Sequence, residues 1–330
     1  MSDKLGWVDN LRAVACLMVV LIHSTTYYIT AAGMPGEHHW DVANLLNSAC
    51  RVGVPLFFMI SGYLFFGERR AEKKHLLRIG FCLLFYSAVA LAYMALLTPI
   101  HAGNALRLFW QKPVFYHLWF FYAILVIYLL SPLIRVPPVS GRYLAVVVLM
   151  LAVVANPNTP ELTIGHTPLL PVNLYIVGDT FYYLLYAVVG RALGTLTPAR
   201  WVTLAAAPLF VVSVLLIAMG TSQQTLANDN FTQTFYLYAN PLVFMAAVCL
   251  MILFKTSVLS VPLPGFSFIS RHSLAIYGFH ALIIHFIRTR DLALNGWPIL
   301  DIFYVFLCAV VCSMLLSLLV QRCDIRRWVS

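Results

Sequence analysis

Long apolar runs separated by short polar stretches make up most of the 330-residue chain. The runs extend over about 17 to 25 residues, which is the length that a helix needs to cross about 30 Å of hydrocarbon. No polar segment is long enough for a separate soluble domain, so the pattern predicts one all-α, polytopic membrane domain over residues 1–330. The ten predicted transmembrane helices are residues 11–31, 45–66, 76–98, 116–134, 142–156, 173–194, 201–219, 233–254, 268–287 and 299–321.

Composition supports this fold class and indicates an orientation. Hydrophobic residues make up 62% of the chain and charged residues 10%, and the net charge is +9. Sixteen of the 21 lysines and arginines, among them Lys4, Arg326 and Arg327, fall on the side of the N-terminus. Basic residues in short loops are retained in the cytoplasm, so we predict that both termini are cytoplasmic. The basic residues then orient the helices, and we expect no nucleic-acid partner.

Two further expectations concern processing and metals. Residues 1–8 have neither a charged leader nor a small-residue cleavage site, so we expect no removable signal peptide. The seven cysteines lie mostly inside apolar runs and have no paired spacing suited to zinc. We therefore expect neither a bound metal nor disulfides.

Arg12 and His23 share one face of the first predicted span. They are eleven residues apart, which is about 20° beyond three helical turns and a rise of roughly 16 Å. Ionisable groups inside a membrane are costly unless paired or hydrated. In one interpretation Arg12 is an anion site at the cytoplasmic mouth and His23 a buried base. In the other, Arg12 anchors the helix and His23 only packs; spacing alone does not decide.

A second polar stripe lies on the predicted ninth span. Ser273, Tyr277 and His280 stand at positions i, i+4 and i+7, so they share one helical face. Three polar groups on one face of a membrane helix must look inward. They are candidates for a reactive site or for hydrogen bonds between helices.

Other polar residues also stand out from the apolar runs. Trp119 fits an interfacial aromatic belt, but His117 and Tyr122 beside it are harder to explain that way. Asp179 is predicted within the sixth span, near its outer end, where a carboxylate needs a basic partner or water. Ser61 precedes Gly62 in a segment that either kinks the helix or lets a backbone or ligand approach.

A basic run at residues 69–78 is predicted to be cytoplasmic. It contains Lys74 and Arg78, and anionic lipid head groups are its default partner. The same charges suit the phosphates of a cofactor that enters from the cytosol.

Five segments, in the same order along the chain, resemble the acyltransferase-3 family of membrane-bound acyltransferases. Each is short, but together they cover nearly the whole chain. One departure is that His75 and Arg78 stand where many members carry two arginines three apart. The matching segments are residues 9–13 followed by His23, then 54–62, 117–120, 181–194 and 273–280.

This resemblance implies a bacterial inner-membrane O-acyltransferase. The expected reaction moves an acetyl group from acetyl-CoA, as co-substrate, to a hydroxyl of a surface polysaccharide or lipid-linked sugar, with N-acetylglucosamine as the expected unit. Direct attack by the sugar and a relay through acetylated His23 both stay open. The implied catalytic residues are Arg12, His23, Ser273, Tyr277 and His280. Cofactor phosphates are expected at Arg12, Lys74, Arg78 and Arg271. The acceptor is expected at Ser61, His117, Trp119, Tyr122 and Asp179.

A different class of protein also fits the pattern. A secondary transporter or a flippase for a lipid-linked sugar would have about ten helices and buried His, Asp and Tyr side chains. Such a protein would not consume acetyl-CoA. A helper subunit without chemistry is a third hypothesis, and it predicts that His23→Ala leaves acetylation intact.

Overall fold

The computed structural model describes residues 6–99, 102–294, 296–324 and 328–329. The helices are α1 (Gly6–Thr30), α2 (His38–Cys50), α3 (Gly53–Phe65), α4 (Lys73–Leu97), α5 (Ala102–Arg107), α6 (Trp119–Leu130), α7 (Gly141–Val148), α8 (Asp179–Thr195), α9 (Arg200–Ala227), α10 (Pro241–Thr256), α11 (Phe266–Thr289) and α12 (Pro298–Cys323). Short 3₁₀ turns at Tyr116–Leu118, Thr234–Tyr236 and Val258–Ser260, and a π-helical turn at Leu149–Val154, extend or link these helices.

The helical fold class is confirmed, and each predicted span coincides with a helix in the described residues. Six segments there are long and apolar enough to cross a membrane by length and composition. The other four predicted spans correspond to shorter or more polar helices, so ten crossings remain a prediction. The orientation of the helices also remains a prediction. Lys4, Arg326 and Arg327, which contribute to it, lie outside the described residues. The six segments are Gly6–Thr30, His38–Phe65, Lys73–Leu97, Arg200–Ala227, Thr234–Thr256 and Pro298–Cys323.

Two predicted spans have different boundaries in the structure. The second begins at His38 rather than at residue 45, and a turn at residues 51–52 divides it into α2 and α3. Hydropathy missed the part of α2 before residue 45, which is polar. Asn44 in this part faces the protein, where it donates a hydrogen bond to the Ala218 carbonyl of α9. The sixth begins at Asp179 rather than at residue 173, so Asp179 is an exposed first residue of α8.

The structure also contains a small β-hairpin, which the all-helical prediction did not include. Strands β1 (Leu162–Ile164) and β2 (Thr167–Leu170) pair antiparallel in the loop before α8. Their side chains are mostly exposed, so the hairpin contributes little to the core.

Helix α1 lies at the centre and packs against α2, α3, α11 and α12. Beside it, α3 and α8 approach so closely that a Cβ on Gly62 would overlap the backbone of Ala187. A Cβ on Gly190 would likewise overlap the backbone of Met59. Small residues allow helix backbones to meet in this way. The segment around Ser61 thus serves close helix packing, and the break in its span lies ten residues earlier, at Arg51.

Candidate active site

A basic cavity of about 440 Å³ lies at one end of the bundle. The beginnings of α1, α4 and α11 and the ends of α3, α6 and α12 meet there, so basic residues far apart in sequence become neighbours. The cavity contains six residues singled out from the sequence: Arg12, Ser61, Arg78, Arg271, Ser273 and Tyr277. His75 also lines it, beside Arg78, where the sequence departs from the family pattern.

Arg12 is fixed at this cavity by two short side chains. Its Nη1 lies 3.4 Å from an Asp9 carboxylate oxygen and donates to the Ser270 hydroxyl at 3.3 Å. Ser270 in turn donates to the same Asp9 oxygen at 2.9 Å. The Arg12 side chain remains 29% exposed, so it can meet an anion while its position is held.

Three histidines from three elements form what we call the histidine cluster. His23 comes from α1, His117 from the 3₁₀ turn before α6, and His280 from α11. The His280 ring centroid lies 5.2 Å from that of His23 and 5.3 Å from that of His117. His117 and His280 are buried, whereas His23 keeps part of its surface accessible next to Tyr116. His23 therefore borders the open side of the cluster.

Tyr277 separates the basic cavity from the histidine cluster. It lines the cavity, and its ring centroid lies 5.6 Å from that of His117 and 5.7 Å from that of His280. Its hydroxyl donates a hydrogen bond to the main-chain carbonyl of His117. The two helical stripes seen in the sequence, Arg12 to His23 and Ser273 to His280, thus run side by side from the cavity to the cluster.

The two buried imidazoles each have one nitrogen engaged and one without a partner. His280 Nδ1 lies 2.7 Å from the carbonyl oxygen of Tyr277, and His117 Nε2 lies 3.1 Å from that of Gly278. A carbonyl accepts only, so these nitrogens carry the protons. His280 Nε2 and His117 Nδ1 are buried without a hydrogen bond from the described residues. Each therefore offers a lone pair that can accept a proton from a bound molecule.

Chemically, the arrangement combines a cationic binding cavity with neutral imidazole bases beyond one tyrosine. An imidazole can take up and return a proton near neutral pH. Charged cavity walls suit an anionic ligand, and the Tyr277 hydroxyl can stabilise a developing oxyanion once it turns from the His117 carbonyl. The described residues contain no group of three or more side chains arranged to hold a metal ion.

Four predicted site residues lie elsewhere. Lys74 pairs with Glu72 at 2.8 Å on the surface, and this contact lowers the pKa of the Glu72 carboxyl. The Tyr122 hydroxyl donates to the Phe109 carbonyl at 2.8 Å. Trp119 and exposed Asp179 both lie beside Tyr183, and neither lines the basic cavity.

Sequence reasoning missed other residues near the site. His272 lines the cavity, and its Nδ1 lies 2.8 Å from the Ser317 hydroxyl. His272 stands beside Ser273 in the predicted ninth span, and an ionisable residue inside such a span is a signal by which the sequence could have identified it. Arg51 lies at the break of the second span, one turn after Asn47, whose side chain donates to the carbonyl of Ile22 next to His23. Its place inside the predicted span 45–66 was the overlooked signal.

Comparison with known proteins shows one match over nearly the whole length. The family model of the acyltransferase-3 type, described as "Acyltransferase domain", matches residues 5–321. No solved structure matches the chain.

Two curated relatives match over a shorter segment. A "Serine/alanine racemase" from Enterococcus gallinarum is 29% identical over 133 residues, 36% of this chain and 18% of its own length. An "Amino-acid racemase" from Enterococcus faecalis is 29% identical over 139 residues, 38% of this chain and 19% of its own length. The matched segment is thus about a fifth of these curated relatives.

Proposed function

The chain belongs to the acyltransferase-3 family, and we propose that it transfers an acetyl group from cytosolic acetyl-CoA to a hydroxyl of a surface-polysaccharide sugar. The observation that carries this proposal is the position of the histidine cluster directly beyond Tyr277 from the basic cavity. A thioester donor in the cavity and a sugar hydroxyl at the cluster would meet at Tyr277. We propose that the protein carries out this reaction in the bacterial inner membrane.

The donor half of the proposal rests on charge and size. The cavity volume of about 440 Å³ lies in the usual range for small-molecule sites. Arg12, Arg78 and Arg271 at its wall provide cations for the phosphates of CoA. Lys74, which is paired with Glu72 outside this wall, would contribute only to the electrostatic field near the entrance.

The acyl-transfer step needs a base and an oxyanion donor. In the direct route, His23 removes the proton of the sugar hydroxyl, and the oxygen attacks the thioester carbonyl. The oxyanion would be stabilised by the Tyr277 hydroxyl, which has to turn from the His117 carbonyl to the thioester oxygen when the donor binds. When the C–S bond breaks, the protonated His23 returns its proton to the CoA thiolate. In the relay route, His23 attacks the thioester carbonyl, the C–S bond breaks, and the CoA thiolate leaves with the imidazole proton. The sugar hydroxyl then takes the acetyl group from the His23 nitrogen, which takes up the hydroxyl proton.

The finer assignment of the acceptor rests on sequence similarity. Segments from residues 7–23 to 295–298 are similar to the enterobacterial common antigen O-acetyltransferase, although Asn295 lies outside the described residues. We therefore propose an N-acetylglucosamine unit of that polysaccharide, free or lipid-linked. Racemase activity is not proposed, because the two racemases match over only 18% and 19% of their length. The transporter or flippase alternative is not favoured by the family match.

Acetyl transfer can be tested with purified protein in lipid nanodiscs. We expect label from acetyl-CoA to appear in ester linkage on an N-acetylglucosamine-containing acceptor and free CoA to be released in equal amount. Mass spectrometry of the surface glycan should show the acetyl group in cells with the protein and lose it in cells without it. Acceptor flux across the membrane without CoA release would instead establish the transporter alternative.

Removing the cavity charges should weaken donor binding selectively. We expect Arg78→Gln combined with Arg271→Gln to raise KM for acetyl-CoA about tenfold or more, because contacts to charged groups are lost, with kcat changed less than threefold. Steady-state kinetics at saturating acceptor would measure both constants. Arg142→Gln, on an exposed arginine of α7, is the matched control and should leave both constants unchanged. An unchanged KM in the double variant would show that the basic cavity does not bind acetyl-CoA.

A further inference from the structure

Arg51 occupies an unusual position for a cation. It lies midway along the segment His38–Phe65, at the break between α2 and α3. Asn47, one turn earlier, donates to the Ile22 carbonyl at 3.1 Å, and a Cβ on Gly53 would contact Ala15 and Met18 of α1. Arg51 is therefore level with the stretch of α1 just before His23. A guanidinium at this depth is costly unless something compensates its charge.

The protein holds the Arg51 side chain without neutralising it. Its Nε donates to the Tyr236 carbonyl at 2.8 Å, and its Cζ lies 4.9 Å from the Tyr236 ring centroid and 5.0 Å from that of Tyr238. Among the described residues it has no ion pair with a carboxylate. Its terminal nitrogens are thus oriented and remain available to an anion.

Three neighbouring aromatic rings form what we call the aromatic platform, and Tyr238 is the member that lies against Arg51. The platform consists of Trp119, Tyr183 and Tyr238. The Trp119 ring stacks on Tyr238 at 5.9 Å and lies 5.5 Å from Tyr183. Trp119 and Tyr238 keep part of their surface accessible. Asp179 lies within hydrogen-bonding reach of the Tyr183 hydroxyl. Aromatic faces flanked by a few polar groups suit a ligand with both apolar faces and hydroxyls, which describes a sugar.

The geometry points to an acceptor subsite for an acidic sugar at Arg51 and the aromatic platform. The sugar ring packs against the accessible surface of Trp119 and the adjoining edge of Tyr238, and Arg51 binds its phosphate or carboxylate. This inference rests on the proposed function and deepens it, because the subsite is level with the stretch of α1 just before His23, and none of its residues lines the basic cavity. It also explains how the protein keeps donor and acceptor apart, since the donor phosphates meet the arginines of the basic cavity and the acceptor anion meets Arg51.

Direct binding tests this subsite without any acetyl transfer. The probes are N-acetylglucosamine, N-acetylglucosamine 1-phosphate, glucuronic acid and inorganic phosphate, titrated against protein in nanodiscs and followed by saturation-transfer NMR. We expect wild type to bind the two acidic sugars about tenfold or more tightly than the neutral sugar, and to bind phosphate alone weakly. If the two acidic probes differ, the tighter one identifies the anionic group.

Variants assign the preference to its residues. Arg51→Gln should abolish the preference for acidic sugars, and Arg51→Lys should retain part of it. Trp119→Ala should weaken the binding of all three sugars to a similar extent. Acetyl-CoA affinity, measured in parallel, should stay unchanged and shows that each variant is folded. Arg107→Gln, on an exposed arginine of α5, is the control and should keep the preference.

The outcomes separate this inference from the proposed function. Equal binding of neutral and acidic sugars by wild type, or an unchanged preference in Arg51→Gln, would overturn the subsite. Loss of acetyl-CoA binding in folded Arg51→Gln would overturn it too, because Arg51 would then belong to the donor site. If the protein transfers acetyl to no sugar but still binds acidic sugars more tightly than the neutral one, the proposed function is wrong and the subsite stands.

Discussion

His23→Asn is expected to lower kcat for acetyl transfer about 10²- to 10⁴-fold, the usual contribution of a general base. Asparagine keeps a polar group of similar reach but cannot take up a proton near neutral pH. His23 lies outside the wall of the basic cavity, so the affinity for acetyl-CoA should stay within about twofold of the wild-type value. Transfer of labelled acetyl to the acceptor and equilibrium binding of acetyl-CoA would measure the two effects.

Two comparisons make this result specific. His38→Asn changes an exposed histidine at the start of α2 and should leave kcat unchanged. His280→Asn should lower kcat less than His23→Asn, because His280 is fully buried whereas His23 keeps part of its surface accessible to a ligand. If His280→Asn abolishes transfer while His23→Asn retains it, the base is His280 and the proposed role of His23 is wrong.

The same variants distinguish the direct and relay routes. Purified protein incubated with labelled acetyl-CoA and no acceptor should retain label only if an acetyl-imidazole forms. Label that is present in wild type and lost in His23→Asn supports the relay. An unlabelled protein that is fully active once acceptor is added supports direct attack.

Asp301→Asn is expected to lower the free energy of unfolding by about 3 to 5 kcal/mol, the cost of leaving one member of a buried ion pair alone. The Asp301 carboxylate is fully buried at the start of α12, 2.6 Å from Arg288 Nη1. It also accepts hydrogen bonds from the Tyr28 hydroxyl at 2.9 Å and the Leu294 main-chain N–H at 2.6 Å. One carboxylate thus ties together α1, α11 and α12. Denaturation in mixed micelles, followed by circular dichroism, would measure the loss.

A surface pair provides the control for this prediction. Glu68 and Arg135 also form an ion pair, but their side chains are 76% and 73% exposed. Glu68→Gln should therefore cost about 1 kcal/mol or less. Replacing Arg288 by Met together with Asp301→Asn should recover part of the stability, since no unpaired buried charge remains. If Asp301→Asn costs no more than Glu68→Gln, the ion pair does not hold these helices together.

Much of the helical layout follows from hydropathy because a membrane requires long apolar helices. Hydropathy fails where one side of a helix is polar because its side chains hydrogen-bond inside the protein. Helix α2 is such a case, because its asparagines bond to neighbouring helices rather than to water. Asp179 shows the opposite error: the apolar residues before it are not helical, so a carboxylate assigned to the membrane is an exposed helix start.

The sequence by itself determined which residues share a face within one helix, as with Arg12 and His23, because helical periodicity is a local property. It could not determine which stripes of different helices meet. Only the tertiary structure places His117 beside His280, gives Tyr277 its position between cavity and cluster, and packs the break at Arg51 against α1. The physical reason is that contacts between helices depend on close packing, such as that of Gly62 against Ala187, which involves residues far apart along the chain.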